Sequence, residues 1–343
     1  MSSKSVPQSR LDGQCSVLGP NNMMSKNNCR LFLLLTGKLV TNLLVKIRVR
    51  LLLVAGLTIC AALWAMPGTT HAQIFVANNF PGAYTGTIGE YNLDGTTINA
   101  SLVSGLGQPW GIAVSGGNLF VVNAVGTIGE YTTSGGTVNA SLVSGLSNPK
   151  GIAVSGGDLF VVNAQTGTIG EYTTSGGTVN ASLVSGLNHP WGIAVSGGNL
   201  FVGNAGSGTI GEYTTSGATV NASLVLGLND PLGITVSGGD LFVVNNGNST
   251  IGEYTTSGGT VNASLVSGLS DPWSIAVSGE DLFVASASNN TIGEYTTSGA
   301  TVNASLISGL SDPWGIAVVP EPTTLALAGL SGLSWLLFLR RRK

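Results

Sequence analysis

The chain is poor in the residues that most enzymes use at their active sites. Its three cysteines, Cys15, Cys29 and Cys60, all precede the long repetitive region described below. The rest of the chain therefore cannot form a disulfide, a thiolate nucleophile or a cysteine metal site. Histidine occurs only twice and charged residues make up only 8% of the chain. This scarcity argues against catalysis that needs paired histidines.

Basic residues are almost absent from the middle of the chain. Between Gln73 and Val319 the only one is Lys150, set against fourteen carboxylates, which gives a formal charge of −13. A surface of that sign repels phosphate backbones, so nucleic acid is excluded as a partner. Glycine, in contrast, is abundant at 51 residues and favours a β-rich fold with many turns.

The N-terminal segment has the order of parts that is typical of a signal peptide. A basic stretch at positions 46–50 precedes an apolar run at 51–64, and Thr70-His71-Ala72 follows. We expect cleavage after Ala72, with 1–72 as a leader. The alternative is a membrane anchor, for which the apolar run is short against the roughly 20 residues of a spanning helix.

The C-terminal segment combines a proline-rich tripeptide, an uncharged run and a basic tail. Pro320-Glu321-Pro322 is followed by residues 323–339 without charge, and the tail 340–343 contains Arg340, Arg341 and Arg342. This order predicts an extended spacer, a short hydrophobic transmembrane helix and a cytoplasmic anchor. It also resembles the PEP-CTERM sorting signal of Gram-negative bacteria.

That resemblance implies a route of export. An exosortase would recognise Pro320-Glu321-Pro322 and remove the helix after transient anchoring in the inner membrane. The protein would then reach the cell surface or an exopolysaccharide matrix. The alternative, a permanent C-terminal anchor, stays open on physical grounds. The expected organisation is a leader at 1–72, a mature domain at 73–319 and a sorting signal at 320–343.

The mature domain is a tandem repeat with a period near forty residues. The tripeptide Gly-Glu-Tyr recurs with its glutamate at Glu90, Glu130, Glu171, Glu212, Glu253 and Glu294. One period contains four runs rich in β-branched and aromatic residues, separated by glycine-rich turns. Such a period predicts one four-stranded blade of a β-propeller.

The two ends of the repeat region complement each other. The segment 74–78 matches the second strand of a repeat, and 315–318 matches the first, so the last strand would complete the first blade. The prediction is an all-β, six-bladed propeller, with short hydrophobic helices only in the two terminal signals. A seven-bladed propeller and a parallel β-helix fit the repeat count less well.

The repeat also resembles NHL and related six-bladed propeller repeats, on its Gly-Ile-Ala-Val and Leu-Phe-Val-Val-Asn runs. That resemblance implies that the Gly-Ile-Ala-Val strand lines a central channel.

Two sets of repeated polar residues have local explanations. The six equivalent glutamates are predicted to be solvated, because acid–base catalysis needs carboxyl groups in different environments. The Asn-Ala-Ser triplets match the glycosylation pattern. We favour polar contacts on an outer strand for their asparagines, which are Asn99, Asn139, Asn180, Asn221, Asn262 and Asn303.

The residue before the repeated proline differs between repeats and should form a ring at one mouth of the channel. The ring consists of Gln108, Asn148, His189, Asp230, Asp271 and Asp312. Asp230, Asp271 and Asp312 are weak candidates for holding calcium, which takes oxygen ligands. Calcium is also what a resemblance to six-bladed lactonases implies. The alternative is that each residue simply initiates a turn.

Every tryptophan of the domain occurs at the position directly after the same proline. This register holds Trp110, Lys150, Trp191, Leu232, Trp273 and Trp314. The four tryptophans could form a platform for sugar rings, or they could pack between blades as core.

Together these features predict an exported, non-enzymatic repeat scaffold or binding module that contacts exopolysaccharide or other surface components and needs no cofactor. The alternative is a calcium-dependent hydrolase or a lyase at the channel mouth, using His189, the only histidine of the mature domain. The virginiamycin B lyase type of propeller is a distant resemblance in fold. Near-identical blades favour the first prediction.

Overall fold

The structure is a computed structural model and describes residues 72–80 and 85–319. In these residues twenty-four strands form six four-stranded antiparallel sheets, the blades of a propeller. A single 3₁₀ turn, Asn246–Asn248, is the one helical element of the described part. No helix of this part is long and apolar enough to cross a membrane. The helices predicted from 51–64 and 323–339 lie outside the described residues.

Each blade contributes one strand to each of four concentric positions. The innermost strands are β4 (Pro109–Ser115), β8 (Pro149–Ser155), β12 (Pro190–Ser196), β16 (Pro231–Ser237), β20 (Pro272–Ser278) and β24 (Pro313–Val319). The second strands are β1 (Gln73–Phe80), β5 (Asn118–Asn123), β9 (Asp158–Asn163), β13 (Asn199–Asn204), β17 (Asp240–Asn245) and β21 (Asp281–Ser286). The third strands are β2 (Thr85–Asn92), β6 (Thr127–Thr132), β10 (Thr168–Thr173), β14 (Thr209–Thr214), β18 (Thr250–Thr255) and β22 (Thr291–Thr296). The outermost strands are β3 (Thr97–Leu106), β7 (Thr137–Ser144), β11 (Thr178–Ser185), β15 (Thr219–Val225), β19 (Thr260–Ser267) and β23 (Thr301–Ile307).

The predicted closure of the ring is confirmed. The last strand, β24, pairs antiparallel with the first, β1, and Ile74 lies opposite Val318. Blade 1 therefore has the strand order β24-β1-β2-β3, whereas blades 2 to 6 are continuous in sequence. The innermost strands contact one another in a closed circle, since β4 touches both β8 and β24. They enclose the central channel, as the family resemblance implied.

The hydrophobic core lies between blades rather than within them. One cluster joins Phe75 of blade 1 to Leu119 of blade 2, and another joins Ile74 of blade 1 to Phe283 of blade 6. Six such clusters, one for each pair of neighbouring blades, occur in the described residues. A blade therefore buries its faces only against its neighbours, which explains why the ring must close.

Two glycine positions of the repeat are required by close packing. A Cβ atom on Gly151 of β8 would lie 2.5 Å from the carbonyl oxygen of Trp191 on the neighbouring inner strand. A Cβ atom on Gly170 of β10 would lie 2.7 Å from the ring and the hydroxyl of Tyr172. The first glycine lets adjacent inner strands approach at the axis, and the second explains the glycine of the Gly-Glu-Tyr motif.

The glutamates of that motif are not solvated, so this prediction is wrong. Glu90, Glu130 and Glu212 are buried and the other three are half-buried, because each lies against the second strand of its blade. In blades 1, 2 and 4 an amide from the second strand donates to the glutamate. The bond from Asn199 Nδ2 to Glu212 Oε1, for example, is 2.7 Å long.

In blades 3, 5 and 6 an aspartate stands where the amide stands elsewhere. Burial raises the pKa of Glu171, and the nearby charge of Asp158 raises it further. The same two causes raise the pKa of Glu253, beside Asp240, and of Glu294, beside Asp281. The blades thus fall into two classes, amide–carboxylate and carboxylate–carboxylate, at one equivalent position.

The outermost strands are exposed along most of their length. Asn180 is exposed, and its Oδ1 accepts a 3.1 Å hydrogen bond from the backbone N–H of Ser182. The equivalent asparagines of the other five blades accept the same bond. These are the polar contacts on an outer strand that the sequence favoured.

Candidate functional site at the channel mouth

The six residues before the repeated prolines form a ring in which every backbone is left-handed. Their φ angles lie between 44° and 58°. Asparagine and aspartate tolerate this conformation better than most residues, and they occupy four of the six positions. The carbonyl of Asn148, for example, accepts a 3.1 Å bond from the N–H of Ala164. The four Asn and Asp positions therefore have a local structural reason for their residue type.

Two of the three aspartates of this ring are held by side-chain hydrogen bonds. Asp271 Oδ1 accepts from Asn246 Nδ2 at 2.8 Å, and Asp312 Oδ1 accepts from Trp314 Nε1 at 2.9 Å. Burial raises the pKa of Asp230 and of Asp312, and the charge of Asp271 raises both further. No group of three or more histidine, cysteine or acidic residues in 72–80 and 85–319 is arranged to hold a metal ion.

His189 belongs to the same ring and is exposed. Its φ is 46°, and its carbonyl accepts a 3.1 Å bond from the N–H of Ala205. The structure thus places this histidine in a turn at the rim of the mouth.

The four tryptophans meet at the axis. Trp110 stacks on Trp314 with ring centroids 3.7 Å apart, and lies 5.3 Å from Trp191 and 5.8 Å from Trp273. Trp273 lies 5.5 Å from Trp191 and 5.4 Å from Trp314. All four indoles are half-buried. They form one cluster that narrows the mouth, and each ring packs on other rings of the same set.

Lys150 occupies the tryptophan register of blade 3 and lies inside this cluster. Its Nζ is 3.2 Å from the ring centroid of Trp110 and 4.5 Å from that of Trp191. The side chain is only 6% exposed. Burial lowers the pKa of the amine to about 7, and no charged neighbour adds to the shift.

A small cavity of about 120 Å³ lies at this mouth, lined by the tryptophans, Lys150 and the isoleucines of the inner strands. Two of the indole N–H groups, those of Trp110 and Trp273, are buried without a hydrogen-bond partner in the described part of the chain. The cavity is therefore lined by one amine, by aromatic rings and by the backbone of the inner strands. Such groups suit a small ligand with acceptor oxygens.

Sequence reasoning located both registers of this mouth but missed Lys150 as a functional residue. The signal was present, because Lys150 is the only basic residue between Gln73 and Val319 and stands in the tryptophan register. What the sequence could not show is its distance from two indoles contributed by neighbouring blades. The residues of the sorting motif, Pro320 to Pro322 and Arg340 to Arg342, lie outside the described residues.

A sequence model of the virginiamycin B lyase family matches residues 80–330, which is most of the chain. The PEP-CTERM protein-sorting motif matches residues 318–343. The motif predicted from the sequence is thus confirmed, and it implies export and exosortase processing. No curated protein is similar enough in sequence to count as a relative.

Solved structures share the fold at low identity. A chain in the crystal structure of a nidogen/laminin complex is 19% identical with a TM-score of 0.63, over 72% of this chain and 98% of that one. A catalytically inactive virginiamycin B lyase from Staphylococcus aureus, crystallised with quinupristin, is 20% identical with a TM-score of 0.53. That alignment covers 72% of this chain and 92% of the lyase. At these identities the similarities show the propeller fold alone.

Proposed function

The chain belongs to the virginiamycin B lyase family and carries a PEP-CTERM sorting motif, and from this premise we propose that it is a non-enzymatic surface or matrix protein. It acts as a repeat scaffold whose channel mouth binds exopolysaccharide. The exosortase acts at Pro320-Glu321-Pro322 and releases the domain of residues 73–319. The uniformity of the six blades is the observation that carries this proposal.

This uniformity is greatest on the surface that a partner would meet. Every outermost strand has the residues Thr-x-Asn-Ala-Ser-Leu, and the first five positions are exposed in all six blades. A catalytic site needs groups whose environments differ from those of their copies. A scaffold instead gains from presenting one surface several times, because linked weak contacts add up to a strong attachment.

The channel mouth supplies an aromatic contact, unlike the polar surface of the outermost strands. The half-exposed edges of Trp110, Trp191, Trp273 and Trp314 offer aromatic surface, on which sugar rings pack well. The formal charge of −13 on residues 73–319 favours neutral over anionic polysaccharides. These two features define the ligand class that we propose.

Binding is tested by titrating the full-length protein with dextran, which is neutral, and with alginate, which is anionic, while following tryptophan fluorescence. We expect a saturable change with dextran only. The change should weaken in Trp314→Leu, which copies the leucine of blade 5, and persist in the outer-strand control Val179→Ala. A wild-type protein that responds to neither polysaccharide would overturn the proposed binding at the mouth.

A lyase is the second candidate, and the family match favours it. In that case His189 would act on a compound like quinupristin. The test is incubation of the full-length protein with quinupristin, with and without divalent cations, followed by mass spectrometry. Cleavage that disappears in His189→Ala would establish the lyase and refute the non-enzymatic proposal.

A further inference from the structure

Lys150 is an unusual amine because of where it lies. Its side chain is 6% exposed, its Nζ contacts the face of Trp110, and it lines the cavity of about 120 Å³. The carboxylates at the same mouth belong to Asp230, Asp271 and Asp312, and none of them contributes to its pKa shift. Among residues 72–80 and 85–319 no carboxylate contributes to this shift, and a desolvated lysine without a charged neighbour is the arrangement that favours covalent chemistry at the amine.

We propose that the amine of Lys150 captures small aldehydes reversibly as an imine at the channel mouth. This inference concerns a covalent site and does not depend on whether the mouth also binds polysaccharide. The cavity has on the order of four water volumes, which suits an aldehyde of about three carbons.

The step balances without an oxidant or a reductant. The neutral amine attacks the carbonyl carbon, so a C–N bond forms and the carbonyl electron pair moves to oxygen. A proton passes from nitrogen to that oxygen and gives a carbinolamine. The hydroxyl then leaves with a second proton as water, and a C=N bond remains. One amine and one aldehyde thus give one imine and one water.

The surroundings favour the attack of the amine on the carbonyl carbon. At neutral pH about half of the Lys150 side chains are neutral, since burial lowers the pKa to about 7, whereas an ordinary lysine is almost fully protonated. The amine lies against the ring faces of Trp110 and Trp191 and lines the cavity that would receive the aldehyde.

The experiment uses the full-length protein, glyceraldehyde as the probe and cyanoborohydride to trap the imine. Propanal has the same carbon number without hydroxyl groups and distinguishes a sugar-derived aldehyde from an apolar one. Nα-acetyl-lysine in the same solution reports the reactivity of an ordinary amine. Modified positions are identified by peptide mass spectrometry between pH 6 and pH 9.

We expect labelling of Lys150 at pH 7 to exceed that of Nα-acetyl-lysine by about tenfold or more. Its rate should reach half of its maximum near the pKa of about 7. The variant Lys150→Leu, which copies Leu232 in blade 5, should lose this fast labelling while the other lysines keep theirs. Labelling of Lys150 no faster than that of the free amino acid would refute the proposal, and this result needs no variant.

Discussion

The innermost and outermost strands are both present in six copies, yet they differ in how far the copies have diverged. The outermost strands keep Thr, Asn, Ala, Ser and Leu at the same positions in every blade. The innermost strands change the residue on each side of their proline, and these residues are the ones that gather at the mouth. The outer strands are the separate edges of six sheets, whereas Trp110 contacts three equivalent tryptophans.

The comparison teaches where a repeat can be copied unchanged. At the edges each copy is independent of the others, so one sequence serves all blades. At the axis the copies contact one another, so a side chain in one blade limits what the next can hold. The mouth therefore combines four indoles with one lysine and one leucine.

The largest effect should come from adding a methyl group at the axis. Gly151→Ala would place its Cβ 2.5 Å from the carbonyl oxygen of Trp191, so we expect a loss of about 3 kcal/mol in the free energy of unfolding. The control is Gly157→Ala in the next turn, where a Cβ meets no atom within 4 Å and φ is not positive. Its effect should stay within about 0.5 kcal/mol. Equal losses in urea denaturation would show that the axis is not tightly packed.

A smaller change, a gain in the free energy of unfolding, should come from removing the buried charge at the mouth. Lys150→Leu should raise the free energy of unfolding by about 1–3 kcal/mol at pH 6, because the folded wild type must bury a protonated amine. The folded pKa of about 7 lies below that of an unfolded lysine. Wild-type stability should therefore rise above pH 7, as the folded protein releases this proton first. The advantage of the variant should shrink by pH 9 in thermal denaturation, and a constant advantage would contradict the shift.

The smallest expected change in the free energy of unfolding concerns the two classes of blade. Asp158→Asn gives blade 3 the amide–carboxylate pair of blade 4 and should stabilise the protein by about 0.5 kcal/mol at pH 7. The reverse change, Asn199→Asp, should destabilise blade 4. Because the pKa of Glu171 is raised in the folded state, repulsion is relieved as pH falls. The gain from Asp158→Asn should therefore decrease toward pH 4, and opposite signs for the two variants are the decisive result.

Much of the fold could be predicted because the order of the strands along the sequence determines how the ring closes. The repeat region begins with a second strand at 74–78 and ends with a first strand at 315–318. Its first blade can therefore be completed only if these two strands pair. The two mouth registers were also predictable, since the proline marks the same position in every repeat. The burial of Glu90, Glu130 and Glu212 could not be predicted. The alternation of side chains along a strand does not show that both faces of a blade are covered.

The sequence by itself determined the number of blades, the way the ring closes and the sorting motif, because each depends on local pattern and order along the chain. Only the tertiary structure decided that Trp110 and Trp314, at opposite ends of the repeat region, stack 3.7 Å apart. It also decided that the amine of Lys150 loses its hydration among indoles from other blades. The physical reason is that distance and dielectric environment depend on which blades meet at the axis, and no single repeat contains that information.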